Sequence, residues 1–180
     1  IRHTNTADPD EASAPLTPAS IKLTALVTDR DGDEISKTLD IGGTVSFKDD
    51  APTITVVAAA PTLQVDETNF VSGSVSVTDN NFGTSAFTVK YGADGAASTM
   101  PLVYSLSVSS VGVDSGLVDT ATGQAIVLSK VGNDVVGNVG STVGAEAFRI
   151  QMNATTGSTT LTQKRPLNHS VDGATPAAHD

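Results

Sequence analysis

The sequence predicts an all-β protein, an antiparallel β-sandwich with little helix, and three observations carry that expectation. Threonine, serine, valine, alanine and glycine dominate, tryptophan is absent and aromatic residues make up only 4% of the chain, a composition that suits many light strands and tight turns. Apolar and polar residues alternate along several short segments, the period of a strand with one face buried. Turn signals built from Gly, Pro and Asp separate these segments at sandwich-like spacing. The 180 residues suffice for one substantial sandwich or two small ones, since such domains run from ~100 to ~250 residues.

Residues 1–19 are polar, rich in Ala and Pro, and broken at Pro9, Pro15 and Pro18, so they read as a loop with room for one helical turn. From Ile21 to Thr28, Ile21, Leu23, Ala25 and Val27 alternate with Lys22, Thr24 and Thr28, Leu26 being the exception, which predicts a half-buried strand. After Asp29-Arg30-Asp31-Gly32-Asp33, strands are expected over Ile35–Ile41 and Thr44–Phe47, parted by Gly42-Gly43 in the pattern of a two-residue hairpin. Residues 20–48 thus read as a three-stranded meander. Lys48-Asp49-Asp50-Ala51-Pro52 ends it, because proline cannot donate to a strand ladder. The expected organisation is a first segment of residues 1–53 and a second of residues 54–180, standing apart or sharing one permuted or split domain. Further strands are expected at Thr53–Val57, Thr62–Val65, Gly73–Thr78, Ala86–Tyr91, Val103–Val108, Ala125–Ser129, Glu146–Met152 and Thr159–Gln163. Ser170–Asp180 has no periodicity and reads as a loop.

Composition narrows the function. Without cysteine there is no disulfide, thiolate metal site or cysteine nucleophile, so any staple binds through oxygen. The net charge of -10 argues against nucleic acid, whose phosphates demand a basic surface. No stretch approaches the roughly 20 apolar residues that a membrane helix needs. No basic and then apolar leader opens the sequence, which reads as a segment excised from a longer chain.

Asp29-Arg30-Asp31-Gly32-Asp33 places three carboxylates at alternate positions around a glycine, so a tight turn would aim several hard oxygens at one cation such as calcium, which takes six to eight. The same residues also read as a hairpin turn with solvated acids. An EF-hand is a poor match, since Glu34 stands where the loop glycine belongs and Asp40 where a bidentate Glu belongs. Asp49 and Asp50, with Asp66 and Glu67 after a short strand pair, form a second acidic constellation suited to a bridging cation, or else carboxylates that repel and face water. Asp94, Asp114, Asp119 and Asp134 lie in expected turns and read as turn formers. His3, His169 and His179 have no zinc or iron spacing. Ser115-Gly116 lacks the Gly-x-Ser-x-Gly elbow, and no phosphate-cradling glycine motif is present, so no catalytic residue is assigned.

Two groups of residues carry a family resemblance. Val27 through Asp33, Leu39-Asp40-Ile41-Gly42-Gly43, Phe47 and Asp49-Asp50-Ala51-Pro52 resemble the closing half of the tandem repeats in type I secreted RTX adhesins. Val65-Asp66-Glu67-Thr68-Asn69-Phe70, Phe87, Tyr91-Gly92-Ala93-Asp94-Gly95, Asp114-Ser115-Gly116-Leu117, Thr122-Gly123, Phe148 and Leu161 through Leu167 with His169 resemble the opening half. The halves stand in reverse of the usual order, so the chain resembles a repeat junction or a split domain.

The resemblance implies an immunoglobulin-like or extender-like sandwich, with calcium held first at Asp29, Asp31 and Asp33. It also implies type I export, a place on the bacterial cell surface, and a role in adhesion or biofilm cohesion. The expected function is a monomeric, calcium-stabilised extender or scaffold, not an enzyme. Its expected partners are neighbouring repeats of the same chain and an inserted ligand-binding domain near His169. The alternatives are a module gripping a sugar or peptide and, further off, a fragment of a secreted hydrolase.

Overall fold

In the computed structural model, which describes residues 14–168 apart from positions 49, 58, 60 and 71, the chain has the all-β, antiparallel character expected of it. It divides into two compact units: Ile1–Ile54 with Val89–Ala96, and Thr55–Thr88 with Ala97–Asp180. No helix among the described residues is long and apolar enough to cross a membrane.

The first unit is built from short ribbons. β1 (Ala14–Pro15) pairs with β4 (Ser46–Phe47), and β2 (Lys22–Thr28) pairs with β3 (Glu34–Asp40), Leu23 standing opposite Leu39 and Val27 opposite Ile35. The alternation in β2 makes a strand, but not the half-buried one expected. Both strands are exposed along their whole length, because a two-stranded ribbon stacks its side chains only across the pair.

The expected meander is corrected as well, since β4 pairs with β1 and not with β3. Neither Gly42 nor Gly43 has the positive φ that a two-residue hairpin turn demands. Instead Gly42–Thr44 forms one 3-10 turn, with the Gly42 N–H donating to Asp40 Oδ1 at 2.9 Å and the Thr44 N–H to the Ile41 carbonyl at 3.1 Å. A Cβ on Gly42 would lie 2.6 Å from the Thr17 carbonyl oxygen. That close approach turns the chain away from β3, and Ala14–Pro15, expected in a loop, becomes the strand that receives β4. The readings for residues 1–13 and 170–180 lie outside the described residues. β5 (Thr53–Val56) and β7 (Phe87–Lys90) form a further ribbon.

The second unit is one curled seven-stranded sheet. The strands β8 (Val113–Asp119), β9 (Ala125–Val131), β10 (Asp134–Val139), β11 (Glu146–Met152) and β12 (Thr159–Gln163) run as an antiparallel meander. β6 (Val75–Asp79) closes the β12 edge and β13 (Leu167–Asn168) the β8 edge. A one-turn helix, α1 (Phe82–Ala86), leads into β7.

β11 and β12 lie where the sequence predicts strands, at Glu146–Met152 and Thr159–Gln163. Thr62–Val65 and Val103–Val108 form no strand. In the latter, the Tyr104 N–H donates to the Ala154 carbonyl at 2.8 Å, while its ring fills the space that a Cβ on Gly83 or Gly157 would need. Tyr104 is the one buried residue of this stretch, Val103 being 52% exposed, so the segment serves as the mount of a wedged ring and not as a ladder partner. β8 and β10 break the alternation for different reasons. The register of β8 shifts between Asp114 and Val118, and β10 is buried on both faces from Val135 to Val139.

Ile126, Val139, Ala147 and Phe148 form the core, flanked by Leu117, Leu128, Ile150, Leu161 and Leu167. Gly137 stands opposite Phe148, and a Cβ there would sit 2.4 Å from Phe148 Cε1. The absent side chain is what lets the ring lie on the strand. The register shifts at Gly137/Asn138 so that Asn138 pairs with Glu146 while Val136 pairs with Arg149. Three residues apart, Glu146 and Arg149 would face opposite sides of a regular strand, but the bulge puts them on one side. There Arg149 Nη2 donates to Glu146 Oε2 at 2.6 Å and Arg149 Nη1 to Asp134 Oδ2 at 3.0 Å, and Lys164 Nζ approaches Glu146 Oε1 at 2.8 Å.

Asp119 is fully buried. Its carboxylate accepts from Arg165 Nε at 2.7 Å and Nη2 at 3.1 Å, and from the Thr122 hydroxyl at 2.7 Å and N–H at 3.0 Å. It is therefore a turn former, as expected, and also the anchor of a buried ion pair. The Arg165 guanidinium first, then Thr122, holds the Asp119 carboxyl at about 2 against an ordinary 3.8. Arg149 first, with Lys164, holds Glu146 at about 2 against 4.5.

Two outcomes are expected. Gly137→Ala should destabilise the fold by about 1–3 kcal/mol, through overpacking against Phe148, as read by urea unfolding. Because both acids have depressed folded pKa values, their contribution is complete above pH 4.5 and lost as pH falls toward about 2. Urea midpoints across that window should fall for the native chain, and fall less steeply for Asp119→Asn, which should also be less stable at pH 7.

Candidate metal centre

The connection between β2 and β3 is a tight turn that the sequence dictates locally. The Gly32 N–H donates to the Asp29 carbonyl at 3.3 Å, and the Asp29 N–H donates to the Asp33 carbonyl at 2.9 Å. Gly32 takes φ 98°, a conformation for which glycine is the natural residue. This is the three-residue hairpin loop that ends in a bulge with a left-handed glycine. The Asp33 N–H donates to Asp29 Oδ1 at 2.9 Å, which ties the side chain of the first aspartate to the backbone of the last.

The turn brings Asp29, Asp31 and Asp33 together. Each offers a carboxylate oxygen within 4.8 Å of the others, and all three are exposed. Calcium holds its oxygens at 2.3–2.6 Å, so opposite ligands in its shell are about 5 Å apart. The three oxygens therefore fit one shell and leave positions for water or carbonyl groups. The Asp31 side chain first, then the Asp33 backbone, holds the Asp29 carboxyl below its ordinary 3.8. The hairpin and metal readings are both compatible with this geometry, because the hairpin is what gathers the acids.

No second group of three or more acids or histidines this close occurs among the described residues. Asp50 is exposed in the same unit as the cluster, and Asp49 lies outside the described residues. Asp66 and Glu67, in the other unit, make hydrogen bonds of their own. The Asp66 carboxylate accepts from the Thr68 N–H at 2.8 Å, which caps the 3-10 turn Glu67–Asn69 and lowers the Asp66 pKa. Glu67 Oε1 accepts from the Leu167 N–H at 2.9 Å and from Gln163 Nε2, pinning this turn to residues about a hundred positions later. Adjacency in sequence had no means of showing partners so distant. His3, His169 and His179 lie outside the described residues.

Sequence reading also did not find an apolar hollow of about 260 Å³ in the curled sheet, lined by Val65, Leu117, Phe148, Ile150, Leu161 and Leu167 with Gln163. Phe148 and Ile150, two apart in β11, and Leu161 and Gln163, two apart in β12, are its local trace. No acid, base or hydroxyl nucleophile is among these residues, so the hollow offers contact surface and not acid–base chemistry.

The geometry of the cluster makes a direct forecast. Asp31→Asn should lower whatever affinity the hairpin has for a divalent cation, read by isothermal titration, while leaving the far-ultraviolet circular dichroism unchanged, since the β2–β3 ladder does not depend on the Asp31 side chain.

No curated protein and no solved structure matches the chain. A family model described as "Domain of unknown function (DUF5801)" matches residues 1–42 and 62–180, and so reaches into both compact units. On that match the chain belongs to the DUF5801 family of domains of unknown function.

Proposed function

We propose that this chain is a calcium-stabilised extender or scaffold module of a large secreted bacterial adhesin, acting at the cell surface and without catalysis of its own. The observation that carries the reading is the gathering of Asp29, Asp31 and Asp33 at the tip of the β2–β3 hairpin. With no cysteine in the chain, a cation is the staple open to a small exposed ribbon. Three like charges on one turn repel each other in its absence, and a divalent ion converts that repulsion into cross-linking of the turn.

Calcium outside the cell then couples the stiffness of the module to its surroundings. The partners in this reading are neighbouring repeats of the same parent chain and a ligand-binding domain inserted near His169. The likeness to RTX adhesin repeats at Val27–Asp33 and Val65–Phe70 supports the assignment to an adhesin, as does a composition of light strands and tight turns.

The test is thermal unfolding in calcium, in magnesium at equal ionic strength, and in a chelator. An ion that binds only the folded state at a hundredfold excess over its Kd adds about 2.7 kcal/mol, or roughly 5–10 °C in Tm for a chain of this size. That rise is expected in calcium and should vanish in Asp31→Ala. Equal melting in calcium and chelator would overturn the proposal and leave these acids as a solvated turn.

A further inference from the structure

Two segments of the second unit stand largely outside its sheet ladder, and they hold each other. Residues 61–70 contain no strand, and the turn Glu67–Asn69 within them is shaped by bonds of its own. The Thr68 N–H donates to Asp66 Oδ1 at 2.8 Å, and the Asn69 N–H donates to the Asp66 carbonyl at 3.0 Å. At the other end of the unit the chain stays on the sheet as far as Lys164, whose N–H donates to the Ala147 carbonyl at 2.7 Å. Beyond it the chain returns to the ladder only through β13, with Leu167 opposite Asp119 and Asn168 opposite Val118. Two residues at a sheet edge offer few ladder bonds, and such ends open most readily.

Side chains supply what the ladder does not. Glu67 Oε1 accepts from the Leu167 N–H at 2.9 Å and from Gln163 Nε2, and the same Gln163 nitrogen donates to the Arg165 carbonyl at 3.0 Å. Arg165 Nε donates to the buried Asp119 carboxylate at 2.7 Å, and the Thr120 N–H donates to the Pro166 carbonyl at 3.1 Å. The two segments also wall the apolar hollow from one side. Val65 and Leu167 line it together, and the rest of its lining, Leu117, Phe148, Ile150, Leu161 and Gln163, comes from β8, β11 and β12. Every group in this set belongs to the second unit.

We infer that residues 65–69 and 165–168 form one latch, joined through Glu67, that opens as a unit ahead of the sheet and gates the apolar hollow. The ground is mutual dependence. A carboxylate is a stronger hydrogen-bond acceptor than a neutral oxygen, and here one carboxylate oxygen serves both segments. If residues 165–168 lift, Glu67 loses the Leu167 N–H. If residues 65–69 lift, the Leu167 and Gln163 donors are left without their acceptor inside the fold, which is costly. Neither segment gains by staying when the other leaves. Opening breaks only the short β13–β8 pairing and leaves the ladder from β8 through β6 intact, so it costs less than unfolding the sheet. It removes Val65 and Leu167 from the hollow and bares Leu117, Phe148, Ile150 and Leu161. The inference stands whether or not Asp29, Asp31 and Asp33 hold a cation.

The test is native-state hydrogen exchange on the full chain, read amide by amide as urea is raised below the unfolding transition. The amides of Thr68, Thr120 and Leu167 are expected to share one opening, with protection and urea dependence both below those of β10 in the middle of the sheet. Glu67→Gln and Arg165→Lys, each folded by circular dichroism, should lower the protection of all three amides by roughly tenfold, although Thr120 bonds to neither Glu67 nor Arg165 and Thr68 does not bond to Arg165. The gate is read separately with Leu161→Cys, which places a lone thiol in the hollow of a chain without cysteine. Its reaction with a thiol reagent should quicken by the same factor when Glu67→Gln is added. Exchange of the three amides only together with β10 would overturn the latch, as would a Glu67→Gln chain in which Thr120 keeps its protection or an Arg165→Lys chain in which Thr68 does. A thiol rate unmoved by Glu67→Gln would overturn the gate.

Discussion

The Phe148 ring lying on Gly137 is the contact on which the seven-stranded sheet depends. With no tryptophan, five phenylalanines and two tyrosines in the chain, few side chains are large enough to span the curl of such a sheet. Phe148 does so only because its cross-strand partner has no side chain. The bulge beside Gly137 then decides two further things. It adds local twist, and it turns Glu146 to the side of Arg149, which assembles the ion cluster with Asp134 and Lys164 on the opposite face. One residue without a Cβ thus governs the packing of one face and the electrostatics of the other.

The first unit rests on different physics. Among its described residues only Gly42 is buried, and its order comes from ladder hydrogen bonds and the closed turn at Asp29–Asp33. Such a ribbon gains little from the hydrophobic effect as it stands, which makes it responsive to anything that adds a bond at its tip or covers its apolar face. The proposed cation acts at that tip, where it would add bonds that the ladder does not supply.

Buried polar groups take the place of a second hydrophobic layer in the curled sheet. Asp119, held by Arg165 and Thr122, fastens the β8–β9 turn to the segment leading into β13, and Glu67 fastens the 66–69 turn to the same segment. Both carboxylates hold parts of the chain far apart in sequence, and Asp119 does so through a charged pair whose loss on one side would strand the other. In a chain without disulfides, these are the cross-links that close the sheet.

Much of this was legible in the sequence where the cause is local. Period-two alternation marked β2 and the stretch Phe148–Met152 of β11, short β-prone runs between turn signals marked β9 and β12, and the Asp-x-Asp-Gly-Asp spacing marked both the turn and the gathered carboxylates, because a three-residue hairpin loop ending in a left-handed glycine sets its own geometry. Tertiary structure alone decided the rest. β10 lost its alternation because both its faces are buried, Gly42-Gly43 became a 3-10 turn because residues 17–20 pack on it, and Val103–Val108 became the mount of a wedged ring because Tyr104 fits between Gly83 and Gly157. The roles of Asp119 and Glu67 depend on partners 46 and about 100 positions away. Sequence by itself determined the all-β class and the acidic turn, since alternation and turn chemistry act within a few residues. Which faces were covered, which acids became cross-links and where the apolar hollow opened were settled only when strands distant in the chain came together.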